Sequence, residues 1–263
     1  MFCVGSPAKV AMGMGAMAVY IYSLNILPYT VRIITKESTV INKLPNRVTI
    51  HKGMDSSIPT ASILSTISEG SSVTVLIKKM NKGHLRMTRW AFEHLDIKQG
   101  ETILDIGCGG GNAVSMLEKL APGGKVYGID YSALSVEKAA AKNKKAVAQG
   151  RVKILNASVS SLPFQDKSIG LATAVETIYF WPDLKNDFKE VYRVLKDGGR
   201  FCVVCEMVKN SDGTGAHTQV ADFLKLHYLS QEEIERLFIA AGFKNITIRR
   251  DETNGWLAAT GIK

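Results

Sequence analysis

From about residue 80 onward, apolar positions along the chain alternate between two periods. In "GHLRMTRWAFEHLDI", the apolar residues Leu85, Trp90, Ala91 and Leu95 recur at helical spacing. "TILDIG" is a short continuous apolar run, the pattern of a strand covered on both sides. "NAVSMLEKLA" returns to helical spacing and is stopped by Pro122-Gly123-Gly124. "KVYGID" predicts a second strand, "SALSVEKAAAKNKKAVAQG" a long helix ending at Gly150, and "VKILNAS" a third strand. "GLATAVETIYFW" holds a fourth strand, "LKNDFKEVYRVLKDGG" a helix with a glycine stop, and "RFCVVCEM" a fifth strand. "SQEEIERLFIAAGF" opens with Ser230 and Glu233 at capping-box spacing and closes at Gly242. The last two strands, "NITIRR" and "GWLAATGIK", lie too close together for a helix between them.

Strand–helix alternation of this kind demands right-handed crossovers, a mainly parallel sheet and helices on both faces. The expected fold is α/β: a Rossmann-like, doubly wound, mostly parallel seven-stranded sheet whose last strand, closing a hairpin, is antiparallel. The chain divides near residue 73, with residues 73–263 forming this domain. Residues 1–72 show no sustained periodicity and are expected to be a weakly structured extension. Within them, residues 10–28 are nearly free of charge and almost of membrane-spanning length, the one place where targeting or membrane contact is expected. Gly13, Gly15, Ser23 and Asn25 dilute that run, which makes an anchor the lesser reading.

Composition changes this picture little. The 263 residues are 46% hydrophobic and 22% charged, ordinary for a globular protein. The net charge of +9 is spread along the chain; its densest runs, Lys142/Lys144/Lys145 and Lys78/Lys79/Lys82, suit solvated faces better than a nucleic-acid footprint. Four cysteines (Cys3, Cys108, Cys202, Cys205) do not make a disulfide scaffold. Cys202 and Cys205 form a CxxC, but on a strand positions three apart face opposite ways, so both are expected to be small buried hydrophobes. A reducing, cytoplasmic setting follows as an expectation.

The chemistry concentrates at "ILDIGCGGGN", residues 103–112, where an apolar strand breaks into four glycines with Asp105 beside them. In a doubly wound sheet such a turn lies at the ligand-binding carboxyl ends of the strands. A glycine turn there usually cradles phosphate, which an adjacent acid would repel. Asp130 ends the next strand, where a carboxylate takes both hydroxyls of a ribose. A dinucleotide fingerprint would need a third small residue where Asn112 stands. A ligand with ribose and adenine, no phosphate and positive charge fits all of these features, and S-adenosylmethionine is such a ligand.

These residues resemble the class I S-adenosylmethionine-dependent methyltransferases, in their small-molecule branch, over about residues 78–263. The likeness is carried by "ILDIGCGGGN", "VYGIDYS", "SLPFQDKSIGLATAVETIYFWPDL" and "EVYRVLKDGGRF", in that order. By this resemblance Asp105 and the backbone of Gly107, Cys108 and Gly109 would surround the methionine part, Asp130 would bind the ribose and Tyr131 would pack on the adenine. Ser158 and Val159 would lie at the adenine edge, and Ala174 belongs to the same cofactor set. The family often has aspartate where Ser158 stands and usually where Gly170 stands.

Methyl transfer from a sulfonium needs alignment and exclusion of water more than a universal catalytic group. Glu176 and Tyr179, after the fourth strand, and His84, in the segment expected to cover the cofactor, are the catalytic candidates. His217, His227 and Tyr228 lie in an insertion after the fifth strand that is a common acceptor lid. No Asn/Asp-Pro-Pro-aromatic motif follows the fourth strand, no cysteine follows a proline, and no zinc-ligand spacing occurs. The expectation is a methyltransferase for a small-molecule acceptor, with no metal and no nucleic-acid partner. A non-catalytic adenosylmethionine-binding protein and a nucleotide-dependent oxidoreductase are the alternatives.

Overall fold

A computed structural model describes residues 40–44, 47–51, 84–218, 221–222 and 225–263. Residues 10–28 and Lys78, Lys79 and Lys82 lie outside them. In the N-terminal stretch, where only weak structure is expected, the described residues form two strands, β1 (Val40–Leu44) and β2 (Arg47–His51). They pair antiparallel, with Leu44 opposite Arg47, and both are rich in the β-branched residues that favour strands.

The remaining elements alternate as the sequence predicts. Helix α1 covers residues 84–93. It is followed by β3 (Thr102–Ile106), α2 (Asn112–Leu120), β4 (Lys125–Asp130), α3 (Ala133–Lys142), α4 (Lys144–Ala148) and β5 (Val152–Asn156). Then come β6 (Ile169–Val175), α5 (Leu184–Val194), β7 (Leu195–Cys205), α6 (Gln231–Ala241), β8 (Lys244–Asp251) and β9 (Trp256–Ile262). Seven strands form one sheet in the order β5-β4-β3-β6-β7-β9-β8. Every pairing from β5 to β7 is parallel, and β9 enters antiparallel between β7 and β8. The strand order reverses direction beside β3, which puts the open crevice at the carboxyl ends of β3, β4 and β6.

The two faces of the sheet carry separate cores. Phe201, Val203 and Cys205 of β7 pack into one with Phe188 and Phe238, while Cys202 and Val204 pack into the other with Met87, Leu117 and Trp256. The CxxC cysteines therefore lie on opposite sides of the sheet, both buried and free.

Two helix boundaries differ from expectation. The long helix after β4 breaks at Asn143, whose Nδ2 donates to the carbonyls of Ala139 (2.9 Å) and Gly111 (3.1 Å). A short amide that competes for backbone acceptors ends a helix in this way. Here it also fastens α3 to the glycine loop. Helix α5 stops at Val194, before the glycines, because Leu195 is already extended. Gly198 and Gly199 instead form the irregularity between the pairings Ile169↔Leu195 and Leu171↔Arg200. Gly170 is structural: a Cβ there would come 2.8 Å from Oε1 of Glu101, which is ion-paired to Arg200. The capping box of α6 is present as expected, with Ser230 and Glu233 serving one another's backbone N–H groups.

One side of the crevice is tied to the sheet by aromatic packing. Trp181 stacks on Phe201 at 6.1 Å, and Phe188 and Phe238 meet Phe201 at 5.2 and 5.3 Å. Strand β9 crosses beneath this cluster on Gly261, where a Cβ would lie 2.6 Å from Cδ1 of Phe238 and 3.0 Å from Cβ of Phe243. Neither ring has room to retreat, since both are buried against each other. Gly261→Ala is accordingly expected to cost about 1–3 kcal/mol through overpacking. Urea unfolding measures it, and an unchanged midpoint would show that the cluster yields freely.

Candidate active site

A cavity of about 420 Å³ opens at the carboxyl ends of β3, β4 and β6, within the size range of small-molecule sites. Its floor is the glycine loop. Gly107 and Cys108 donate their N–H groups to the Ile129 carbonyl at 2.8 and 2.9 Å, which continues the β3–β4 pairing into the turn. Gly107 has φ 73°, and a Cβ there would collide with Cγ2 of Thr177 at 2.5 Å. Thr177 in turn donates to the Ile106 carbonyl and closes the loop from the β6 side.

Asp130 holds the other edge. One carboxylate oxygen accepts the Gly109 N–H and the second accepts the Ser132 N–H, each at 2.9 Å. Asn156 donates to the carbonyls of Asp130 and Tyr131, fixing the chain after β4. Asp105 lies beneath, with 2% of its surface exposed, and accepts a 2.8 Å hydrogen bond from Thr173. Burial pushes its carboxyl up to about 7 against the opposing Thr173 bond, and the nearby Asp130 charge adds to the rise. Burial, followed by the Asp105 and Asp130 charges, also drives the Cys108 thiol far above its ordinary range, so it is an uncharged lining group.

At the opposite end lies a second polar cluster. Glu176 follows β6 with φ 57°, a left-handed conformation that costs a side-chain-bearing residue energy and turns its carboxylate into the fold. Its Oε1 accepts from the Tyr179 hydroxyl (2.9 Å) and the Glu206 N–H (2.7 Å). Its Oε2 has no partner among the described residues. His84 Nε2 lies 3.2 Å from Oε1 of Glu206. Burial pushes the Glu176 carboxyl up to about 7, helped by the Glu206 charge. Burial works against a charge on His84, but the Glu206 hydrogen bond and the two carboxylates outweigh it and raise the imidazole above its ordinary value.

Most residues singled out from the sequence meet in this one cavity. Asp105, Gly107, Cys108, Gly109, Asp130, Tyr131, Ser158, Val159, Glu176 and His84 all line it. Tyr131 stands at the rim, 72% exposed. Two do not line it. Ala174 is fully buried and packs into the core, because alternation along β6 turns it away from the crevice. Tyr179 points inward, accepting the Met207 N–H at 3.0 Å while donating to Glu176, so it positions the carboxylate from behind. His217, His227 and Tyr228 also lie off the lining; His227 instead contacts the Trp181 carbonyl at 2.9 Å. Sequence reasoning missed Asn156, Thr173 and Glu206. Glu206 had a signal, since it directly follows the fifth strand. Among the described residues, no lysine or arginine lines the cavity, whereas Asp105, Asp130 and Glu176 do.

Residues 104–203 match the family model described as a methyltransferase domain. A demethylmenaquinone methyltransferase of Geobacillus kaustophilus is 32% identical over 117 residues, 44% of this chain and 50% of that protein. A botryococcene C-methyltransferase of Botryococcus braunii is 36% identical over 107 residues, 41% of this chain and 28% of that protein. The solved structure of a SAM dependent methyltransferase from Aquifex aeolicus superposes with a TM-score of 0.55 at 21% identity, covering 75% of this chain and 97% of that one, a likeness of fold. The chain spans about half the length of the first curated relatives it matches. Residues 104–203 are thus similar to a methyltransferase domain, and the sheet that holds them has the fold of the Aquifex aeolicus protein.

The raised Asp105 carboxyl makes stability depend on pH. Its ordinary value is 3.8 and its folded value about 7, so between them the folded chain holds a proton that the unfolded chain releases. Stability from this group is complete below the lower value and is lost as pH rises to the upper one. Going from pH 5.5 to 7 is expected to remove about 2 kcal/mol, and Asp105→Asn to flatten that dependence. Urea unfolding at several pH values compares the two proteins, and equal slopes would exclude Asp105 as the source.

Proposed function

We propose that this protein transfers the methyl group of S-adenosylmethionine to a small, largely apolar acceptor by in-line displacement. The observation that carries the reading is the cavity lining: a glycine loop and three acids, Asp105, Asp130 and Glu176, with no lysine or arginine among the described residues. Such a lining disfavours phosphate and favours a ligand that brings ammonium and sulfonium charge. It argues equally against nicotinamide dinucleotides.

The residues fit that cofactor. Gly107 and Gly109 offer backbone without a Cβ, Asp130 stands where ribose hydroxyls would be held, and Tyr131 and Val159 offer apolar faces near the rim for adenine. Bound adenosylmethionine supplies an already activated methyl group. The chain's own contribution is to orient, to exclude water and to manage a proton at the acceptor. Leu85, Phe180, Trp181 and Pro182 make the remaining wall apolar, and His84 and Glu176 are its polar points. His84 and Glu176 are therefore placed to touch the acceptor, with Tyr179 fixing Glu176. Nothing in this wall suits a phosphodiester backbone, which speaks for a small molecule over a nucleic acid. The relatives' names, demethylmenaquinone and botryococcene methyltransferase, agree with that acceptor class. Among the described residues no helix is long and apolar enough to cross a membrane.

Asp130→Asn separates this reading from its rivals. The amide retains one acceptor oxygen for two N–H groups and aims an N–H at the other. Folding should weaken by about 1–3 kcal/mol, and affinity for adenosylmethionine and adenosylhomocysteine should fall roughly tenfold to a hundredfold. Calorimetry reads the affinities, with NADH expected to bind neither protein. Unchanged affinity, or binding of NADH by the wild type, overturns the cofactor placement. Enzyme-dependent formation of adenosylhomocysteine with quinols, phenols or isoprenoid alkenes then tests transfer. Binding without turnover on any of them would favour a non-catalytic adenosylmethionine-binding protein.

A further inference from the structure

The polar cluster at the acceptor end has a composition that methyl transfer by alignment alone does not require. Three elements far apart in sequence deliver it: His84 from α1, Glu176 from the end of β6 and Glu206 from the end of β7. One ligand atom from each lies within 4.8 Å of the others. We propose that His84, Glu176 and Glu206 bind a divalent first-row transition ion at the acceptor end of the cavity.

Geometry comes first. Ligands about 2.1 Å from a tetrahedral ion stand about 3.4 Å apart. His84 and Glu206 are already at 3.2 Å, so modest side-chain rotation closes the set around an ion. Three protein ligands leave at least one position open, as in metal sites that handle substrates. His84 and Glu176 line the cavity, so that position faces the space left for the acceptor.

Independent support comes from Glu176. It is 7% exposed, and its Oε2 has no hydrogen-bond partner among the described residues. A buried carboxylate oxygen left dry is costly. Tyr179 and the Glu206 N–H occupy only Oε1, holding the group in orientation while Oε2 stays available. That is how an outer shell prepares a ligand.

Charge points the same way. In the ligating state, with both carboxylates ionised and the imidazole neutral, the set carries two negative charges, and no lysine or arginine among the described residues lines the cavity to offset them. A divalent ion balances them fully, whereas a proton on His84 balances one. One nitrogen and two carboxylate oxygens suit ions from Mn²⁺ to Zn²⁺ better than Ca²⁺, which takes six or more oxygens. On the methyl-transfer reading, the open position would hold an acceptor hydroxyl or enol oxygen and favour its anion, the proton leaving to solvent.

The test uses the full chain, treated with chelator, dialysed and free of affinity tags. MnCl₂ binding is followed by electron paramagnetic resonance and ZnCl₂ binding by calorimetry, with no other ligand present. One equivalent of ion bound at about micromolar concentration is expected. Glu206→Gln and His84→Ala should each weaken it about tenfold or more. Glu206→Gln preserves shape, so its cooperative melt confirms that the loss is one of ligation. Absence of saturable binding, or equal binding by wild type and both variants, overturns the site. Adenosylmethionine affinity on the same samples is a separate readout. Ion binding without adenosylmethionine binding defeats the methyl-transfer reading and leaves the ion site standing. The converse result defeats the ion site alone.

Discussion

The site depends on a single carboxylate bridging two turns. Asp130 ends β4, and its two oxygens take the N–H groups of Gly109 and Ser132. One bond closes the glycine loop against the neighbouring strand; the other shapes the entry to α3, where Ser132 is the N-cap. Both bonds are charge-assisted and shielded, since Asp130 is 8% exposed. The loop that must approach a ligand closely and the acid that must face it are thereby held by the same atoms. Asn143 repeats the logic from below, joining Gly111 to α3 by its side-chain amide. Gly111, in a left-handed conformation with φ 77°, has no room for a Cβ between that amide and Ala139. At Gly107 and Gly111 the loop is packed too closely for any side chain.

The other end of the cavity is held by different means. Glu176 is strained at φ 57°, and its surroundings over-determine it: Tyr179 and the Glu206 N–H clamp one oxygen, and Glu176 N–H donates to the Val204 carbonyl at 2.9 Å. Behind it stands the aromatic stack of Trp181, Phe201, Phe188 and Phe238, which fixes the segment after β6 to the sheet. The energy that keeps buried Glu176 beside half-buried Glu206 comes from this apolar packing. Strain and like charge persist only where a well-packed frame outweighs them.

What could be read in the chain beforehand follows from how local each feature is. The strand periods, the glycine loop and the acid ending β4 are short-range patterns, and the structure places them as expected. The opposite facing of Cys202 and Cys205 followed from strand pleating alone. The break at Asn143 was not visible, because helical spacing continues through it and only the tertiary contact with Gly111 makes the amide worth diverting. Leu195 likewise belongs to a helical pattern by composition, but pairing with Ile169 draws it into β7. Ala174 and Tyr179 were assigned to the site by nearness in sequence. Alternation in β6 turns Ala174 into the core, and the short turn of 3₁₀ helix at Ile178–Phe180 carries Tyr179 behind Glu176. Glu206 was passed over because its meaning lies in its neighbours, His84 and Glu176, 122 and 30 positions away.

The two ends of the cavity therefore differ in what sequence divergence can do to them. The end at β3 and β4 is made mostly of backbone N–H groups, carbonyls and glycines, with Asp130 and Asp105 as its acids. Backbone chemistry is the same in every chain that makes this turn, so this end tolerates variation in the flanking residues. The other end is made of side chains from three parts of the chain: Leu85 from α1, Glu176 and Thr177 from the exit of β6, Trp181 and Pro182 from the approach to α5. Thr177 and Trp181 also brace the glycine loop and β7, so the wall is not independent of the frame that carries it. On the proposed reading, a domain built in this way holds its donor by backbone and selects its acceptor by side chains, so changes at the wall would alter the acceptor and leave the cofactor in place.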